Sequence, residues 1–220
     1  MKLSARLNHL FENIIFQHQQ THYDEFWDLC CDHGFLGMKL FEKAKTSRVH
    51  LLDQVPKILD GLENKYAKFN DGRIEFRMQD AKTVELDATK NHMIVIAGVG
   101  GETLIEILEA IITNNPAAKM DFALSPNSHI FQIRQFLQPN FTLLSEDLIN
   151  DANRLHEHIL VRFTPNCAQS ISLTGDLFWQ TSPFAKKYHT KLVKHYSLIN
   201  KNYPSLASQN AVEAYLFLAL

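Results

Sequence analysis

The stretch Phe26-Trp-Asp-Leu-Cys-Cys-Asp-His-Gly-Phe-Leu-Gly37 constrains this chain more than any other. Phe26, Trp27 and Leu29 favour a strand, and Gly34 permits a turn. Phe35, Leu36, Met38, Leu40 and Phe41 recur as the apolar side of a helix. A strand that ends in polar residues and turns directly into a helix opens an α/β sheet. In such sheets ligands bind beyond the carboxyl ends of the strands. Asp28, Asp32 and His33 lie at that end of this first strand.

The rest of the chain alternates in the same way. Leu7, Leu10, Phe11, Ile14 and Ile15 predict a helix before the first strand, with Ser4 as its N-cap. Arg48–Asp53 predicts a second strand ending in an acid, and Val55-Pro56 opens a helix, Pro being suited to a first turn. Asp71-Gly72 is a turn, and residues 73–78 alternate like a third strand that leads to Gln79-Asp80-Ala81. His92–Ala97 is an unbroken apolar run, the pattern of a parallel strand buried on both faces. It enters Gly98-Val-Gly-Gly101 and another helix. Lys119–Ser125 is a fifth strand, followed by Pro126-Asn127 and a helix. Residues 141–149 and 156–163 read as an antiparallel pair at the end of the sheet.

This alternation predicts a doubly wound, mostly parallel Rossmann-like sheet over residues 1–165. Periodicity lapses over residues 164–170, which places a boundary there. Residues 166–220 are expected to form a small helical segment, with helices over 184–200 and 207–220 separated by Tyr203-Pro-Ser205. The first of these carries Lys186, Lys187, Lys191 and Lys194 and is the most basic part of the chain. Phe178, Trp179, Phe184 and Tyr188 are expected to dock the segment on the core rather than stack on bases.

Composition narrows the class. At 45% hydrophobic and 21% charged residues the chain is an ordinary globular protein, and a net charge of −2 does not mark it as a nucleic-acid binder in bulk. Its three cysteines, Cys30, Cys31 and Cys167, form no CxxC pair, which argues against a disulfide framework or zinc ribbon and for a reducing compartment. The N-terminus lacks a signal-peptide core, and no apolar run is long enough to span a bilayer, so a cytoplasmic protein is expected. His156 and His158 alternate on a strand without a clear carboxylate partner, and no metal is expected. The sequence carries no signal of oligomeric state.

Acids at strand ends have a physical use. Asp53 follows the first turn by about 20 residues, the offset at which an acid accepts hydrogen bonds from a ribose. Asp80 at the third strand's end can accept from an adenine amino group. Each acid can instead serve its own turn. NAD and S-adenosylmethionine both carry a ribose and an adenine, but GxGxxG is absent after the first strand, and two acids there would repel a pyrophosphate. The sulfonium and ammonium of S-adenosylmethionine suit Asp28 and Asp32 better. The glycines of residues 98–101 permit close approach of a ligand.

Five motifs carry a family resemblance: Leu3-Ser4 with Arg6-Leu7, Asp28-x-x-x-Asp32-His-Gly34, Ile96-Ala-Gly-Val-Gly-Gly101, Ser125-Pro-Asn127 followed by Ile133-Arg-x-x-Leu137, and Glu146-Asp-Leu148. In this order they resemble the bacterial tRNA (adenine22-N1)-methyltransferase family over residues 1–165. The resemblance implies a class I methyltransferase fold with seven strands, the last antiparallel. It also implies S-adenosylmethionine as methyl donor, the D-arm region of tRNA as substrate, and a helical C-terminal part that helps hold RNA.

On that basis the cofactor would be held by Asp28, Cys30, Gly34, Asp53, Gln54, Gln79, Asp80, Ala81, Ala97, Gly98, Gly100 and Gly101. Asp32, His33 and Asn127 would act on the flipped-out base, and Arg6 with the four α-helical lysines would meet RNA phosphates. Two positions depart from the family pattern: Cys30 stands where a Gly is usual, and Leu155-His-Glu157 where a Tyr is usual. They keep open a methyltransferase-like protein that binds nucleotide or RNA without reacting. An NAD-dependent oxidoreductase is a further alternative.

Overall fold

The computed structural model describes residues 3–69, 71–167 and 171–218. Residues 168–170, the end of the expected boundary stretch, and residues 219–220, the end of the expected last helix, lie outside the described residues.

Seven strands form one sheet: β1 (Glu25–Leu29), β2 (Arg48–Asp53), β3 (Ile74–Met78), β4 (Asn91–Ala97), β5 (Lys119–Ser125), β6 (Phe141–Asp151) and β7 (Arg154–Phe163). Their spatial order is β3-β2-β1-β4-β5-β7-β6. The first five are mutually parallel, and β7 runs antiparallel to both β5 and β6. This is the expected doubly wound, Rossmann-like sheet with its last strand reversed. β6 and β7 join through Ala152 and Asn153, both at positive φ (47° and 65°), the backbone of a tight two-residue hairpin whose twist suits the flanking strands.

Helices cover both faces. On one lie α1 (Ala5–Thr21), α2 (Phe35–Lys43) and α3 (Pro56–Tyr66). On the other lie α4 (Gly101–Asn114) and α5 (Ile130–Leu137), with α6 (Leu177–Thr181), α7 (Ala185–Asn202) and α8 (Leu206–Leu216). β4 shows why both faces must be covered. Met93 and Val95 pack with Leu10, Ile14 and Leu40, whereas Ile94 and Ile96 pack with Leu104, Leu108 and Phe122, and none of these is exposed. Ser4 caps α1 through Leu7 N–H, and Val55-Pro56 opens α3. Both starts follow from the residue types.

Residues 171–218 share the second core rather than building their own. Phe178, Trp179, Tyr188, Leu192, Tyr196, Ala211 and Tyr215 are buried in one cluster with Phe122, Phe131 and Ile159. Tyr196 and Tyr215 stack with ring centroids 5.4 Å apart, which pins α8 to α7. The five-residue α6 carries too little apolar periodicity to be read from sequence. Among the described residues no helix is long and apolar enough to cross a membrane.

Candidate active site

Because β1 to β4 are parallel and in register, their carboxyl ends share one rim. Two cavities open there. The larger, about 300 Å3, is lined by Arg6, Asp28, Cys30, Asp32, Gly98 and Asn127 among others, including His33 and Ala97. The smaller, about 110 Å3, is lined by Cys30, Gln54, Gln79, Asp80, Ala81 and Thr103 among others. Cys30 belongs to both and so stands between them. Gly34, Asp53, Gly100 and Gly101 do not line either cavity. Gly34 and Gly100 precede α2 and α4 as N-caps, Gly101 begins α4, and Asp53 ends β2.

The strand-end acids are held by backbone N–H groups. Asp28 Oδ2 accepts from Gly37 N at 2.8 Å, inside the first turn of α2. Asp28 is fully buried, and burial first, then the Asp53 charge, pushes its carboxyl up to about 7, against the pull of the Gly37 N–H. Asp53 accepts from Val55 N at 3.0 Å and from Asp32 N at 3.3 Å, so it ties β2 to the loop after β1. Asp80 accepts from Lys82 N at 2.9 Å. A carboxylate has about four acceptor directions, so both Asp53 and Asp80 keep capacity for a ligand.

Cys30 has φ 54°, the left-handed region, where a side chain is strained and Gly is at ease. Its thiol is pushed up to about 11, mainly by burial and then by Asp53, Asp28 and Asp80; Cys31 is raised further, by burial first. Both are therefore neutral thiols at ordinary pH and not nucleophiles. Gly98 also has positive φ (86°), and Gly101 sits where a Cβ would meet Ser128 O at 2.5 Å and His129 Cβ at 2.6 Å. Gly101 thus lets the β4–α4 and β5–α5 turns close on each other, and Gly98 joins β5 through its N–H on Ser125 O at 2.9 Å.

At the mouth, Asp32 Oδ2 and His33 Nδ1 are 2.5 Å apart, both largely exposed. Asn127 is fixed from three sides. Its backbone N–H donates to Val99 O at 2.9 Å, its Nδ2 donates to Gly98 O, and its Oδ1 accepts from Arg6 Nη1 at 3.3 Å. Arg6, expected on RNA phosphates, thus reaches the cavity wall from α1. Of the four α7 lysines expected on RNA, Lys191 alone lines a cleft of about 490 Å3 between α5, β7 and α7; Lys186, Lys187 and Lys194 are exposed. Asn127 lines that cleft as well as the 300 Å3 cavity. Sequence reasoning missed this cleft, because its walls come from three segments with no common motif. Among the described residues no group of three or more His, Cys, Asp or Glu side chains is placed to hold a metal ion.

Comparison with known proteins places this geometry. The family described as a methyltransferase domain matches residues 3–159. A Mycoplasma pneumoniae protein named "Putative tRNA methyltransferase" is 27% identical over 188 residues, covering 81% of each chain. The solved structure of M. capricolum TrmK with S-adenosyl-homocysteine superposes with TM-score 0.76 at 17% identity, covering 98% of this chain and 97% of that one. The B. subtilis m1A22 tRNA methyltransferase TrmK superposes with TM-score 0.73 at 20% identity, covering 98% and 94%. These likenesses extend the shared fold through the C-terminal helices.

Proposed function

We propose that this chain, which belongs to the methyltransferase-domain family, uses S-adenosylmethionine to methylate N1 of an adenine in tRNA, at position 22 in the D-arm region, in the cytoplasm. The observation that carries the reading is the pair of cavities on the β1–β4 rim, joined at Cys30 and lined by acids rather than by a phosphate loop. An elongated cofactor with a cationic end and a nucleoside end suits two such compartments. That the matched tRNA-modifying proteins share the whole fold, and that Cys30, Cys31 and Cys167 form no disulfide, add support.

Asp53 and Gln54 would hold the ribose, and Gln79, Asp80 and Ala81 the adenine. Asp28, Cys30, Ala97 and Gly98 would surround the amino-acid end, and Gly34, Gly100 and Gly101 would shape the turns behind it. Bound there, the cofactor would supply to the lone pair of adenine N1 a methyl carbon made electrophilic by its sulfonium, with the sulfur as leaving group. N1 is engaged in a paired base, so the adenine must leave its stack. Asp32 would accept from the exocyclic amine, raising electron density at N1 and stabilising the cationic methylated ring. His33 holds Asp32, and Asn127, its amide fixed by Arg6 and Gly98, would position the base. Such alignment supplies up to roughly 7–11 kcal/mol of barrier lowering. Residues 1–165 would carry this chemistry, while Lys186, Lys187, Lys191 and Lys194 in residues 166–220 would meet RNA phosphates, each a sequence-blind contact.

Calorimetric titration with S-adenosylmethionine, S-adenosylhomocysteine and NAD tests this. The first two should bind and NAD should not. Asp53→Ala should weaken both by roughly 10- to 100-fold, the worth of charge-assisted hydrogen bonds to a ribose. Tight NAD binding, or methyl transfer to no tRNA adenine, would sink the reading.

A further inference from the structure

We infer that the 490 Å3 cleft between α5, β7 and α7 seats a second nucleotide of the RNA, beside the one that is methylated. The inference rests on the methyltransferase reading and adds a subsite to it. Asn127 forms part of the walls of both this cleft and the methyl-donor cavity, so an RNA strand can place neighbouring residues in the two. The volume falls within the range of about 300–1,000 Å3 typical of small-molecule sites.

The lining is divided in the way a nucleotide is. Tyr188, Leu192 and Tyr196 are buried and make an apolar, partly aromatic wall. Such a wall accepts a base face irrespective of its identity. Arg154 and Lys191 are exposed at the rim, one at the start of β7 and the other on α7. Their charges converge: Arg6, Lys191 and Arg154 all act on His156, which burial and these cations hold in its neutral form, against Asp151. A phosphate would relieve that mutual repulsion. His195 is likewise held neutral by burial, then by Lys191 and by His129 across the cleft. Neutral imidazoles can donate or accept toward a base edge.

Glu157 lies buried beneath this wall, where it holds Arg134 at 2.7 and 2.9 Å with Tyr188 beside it, so the wall is braced from the core side.

The test uses the full chain saturated with S-adenosylhomocysteine, so that the cofactor cleft is blocked, and titrated with AMP and with adenosine. AMP should still bind. Arg154→Ala with Lys191→Ala should weaken AMP several-fold while leaving adenosine nearly unaffected, because only the phosphate contacts are lost. In tRNA binding the same pair should lower the salt slope by roughly one per lost contact. Leu192→Trp, which fills the cleft, should weaken both probes and raise KM for tRNA roughly tenfold, with S-adenosylhomocysteine affinity retained. AMP that S-adenosylhomocysteine excludes entirely, or AMP affinity and KM that neither variant moves, would overturn the subsite. Failure of the methyltransferase reading looks different: the unmodified protein would neither bind S-adenosylhomocysteine nor transfer a methyl group.

Discussion

Asp28 is asked to do two things that oppose each other. Its carboxylate caps α2 through Gly37 N–H, which favours the charge, yet it is wholly buried next to Asp53, which disfavours it. Burial wins, and the folded group titrates at about 7, against about 3.9 for an unfolded Asp. Between those values the folded protein holds a proton that the unfolded chain has released. Stability therefore falls as pH rises through that window and levels off above it. The ligand-free protein should melt at a lower temperature at about pH 8 than at about pH 5, and Asp28→Asn, which keeps an acceptor for Gly37, should flatten that dependence. An identical slope in both proteins would refute it. The sequence placed Asp28, Asp53 and Asp80 at strand ends, since polarity switching at the end of an apolar run is local. It did not show that Asp53 binds the N–H of Asp32, 21 residues away, or that Cys30 takes a glycine-like backbone.

At the scale of elements, one buried ion cluster joins four of them. Arg134 of α5 donates to Glu157 of β7 and, at 2.6 Å, to Glu146 of β6, while Glu146 Oε1 accepts from Asp176 and Leu177 N–H at the start of α6. All three side chains are almost fully buried. Removing the cation leaves two buried carboxylates uncompensated, so Arg134→Leu should cost about 3–5 kcal/mol, read as a lower midpoint in urea unfolding. A variant within about 0.5 kcal/mol of the parent would show that the cluster contributes no such term. Arg134 and Glu146 belong to motifs visible in the sequence, but as letters they pointed only to a family. Their partnership became legible when β6 and β7 paired and brought positions 134, 146 and 157 to one place.

At the scale of the molecule, the C-terminal helices complete the core. Phe178, Tyr188, Leu192, Tyr196 and Tyr215 cover Phe131 and neighbouring residues of the sheet side, so a chain ending at residue 165 would present that face to water. Such a truncation should lose its cooperative melting transition and aggregate, because exposed apolar patches of this kind drive association. A soluble fragment with an intact, cooperative melt would show that residues 1–165 fold alone. The sequence by itself determined the kinds and order of the elements other than α6, the starts of α1 and α3, and the doubly wound class, because apolar periodicity and capping act within a few residues. Only the tertiary structure decided that Arg6 reaches Asn127 across 121 positions, that Cys30 divides two cavities, and that α7 closes a cleft over β7. Those relations depend on which strands become neighbours, and the choice of neighbours is made by burial of the whole chain at once.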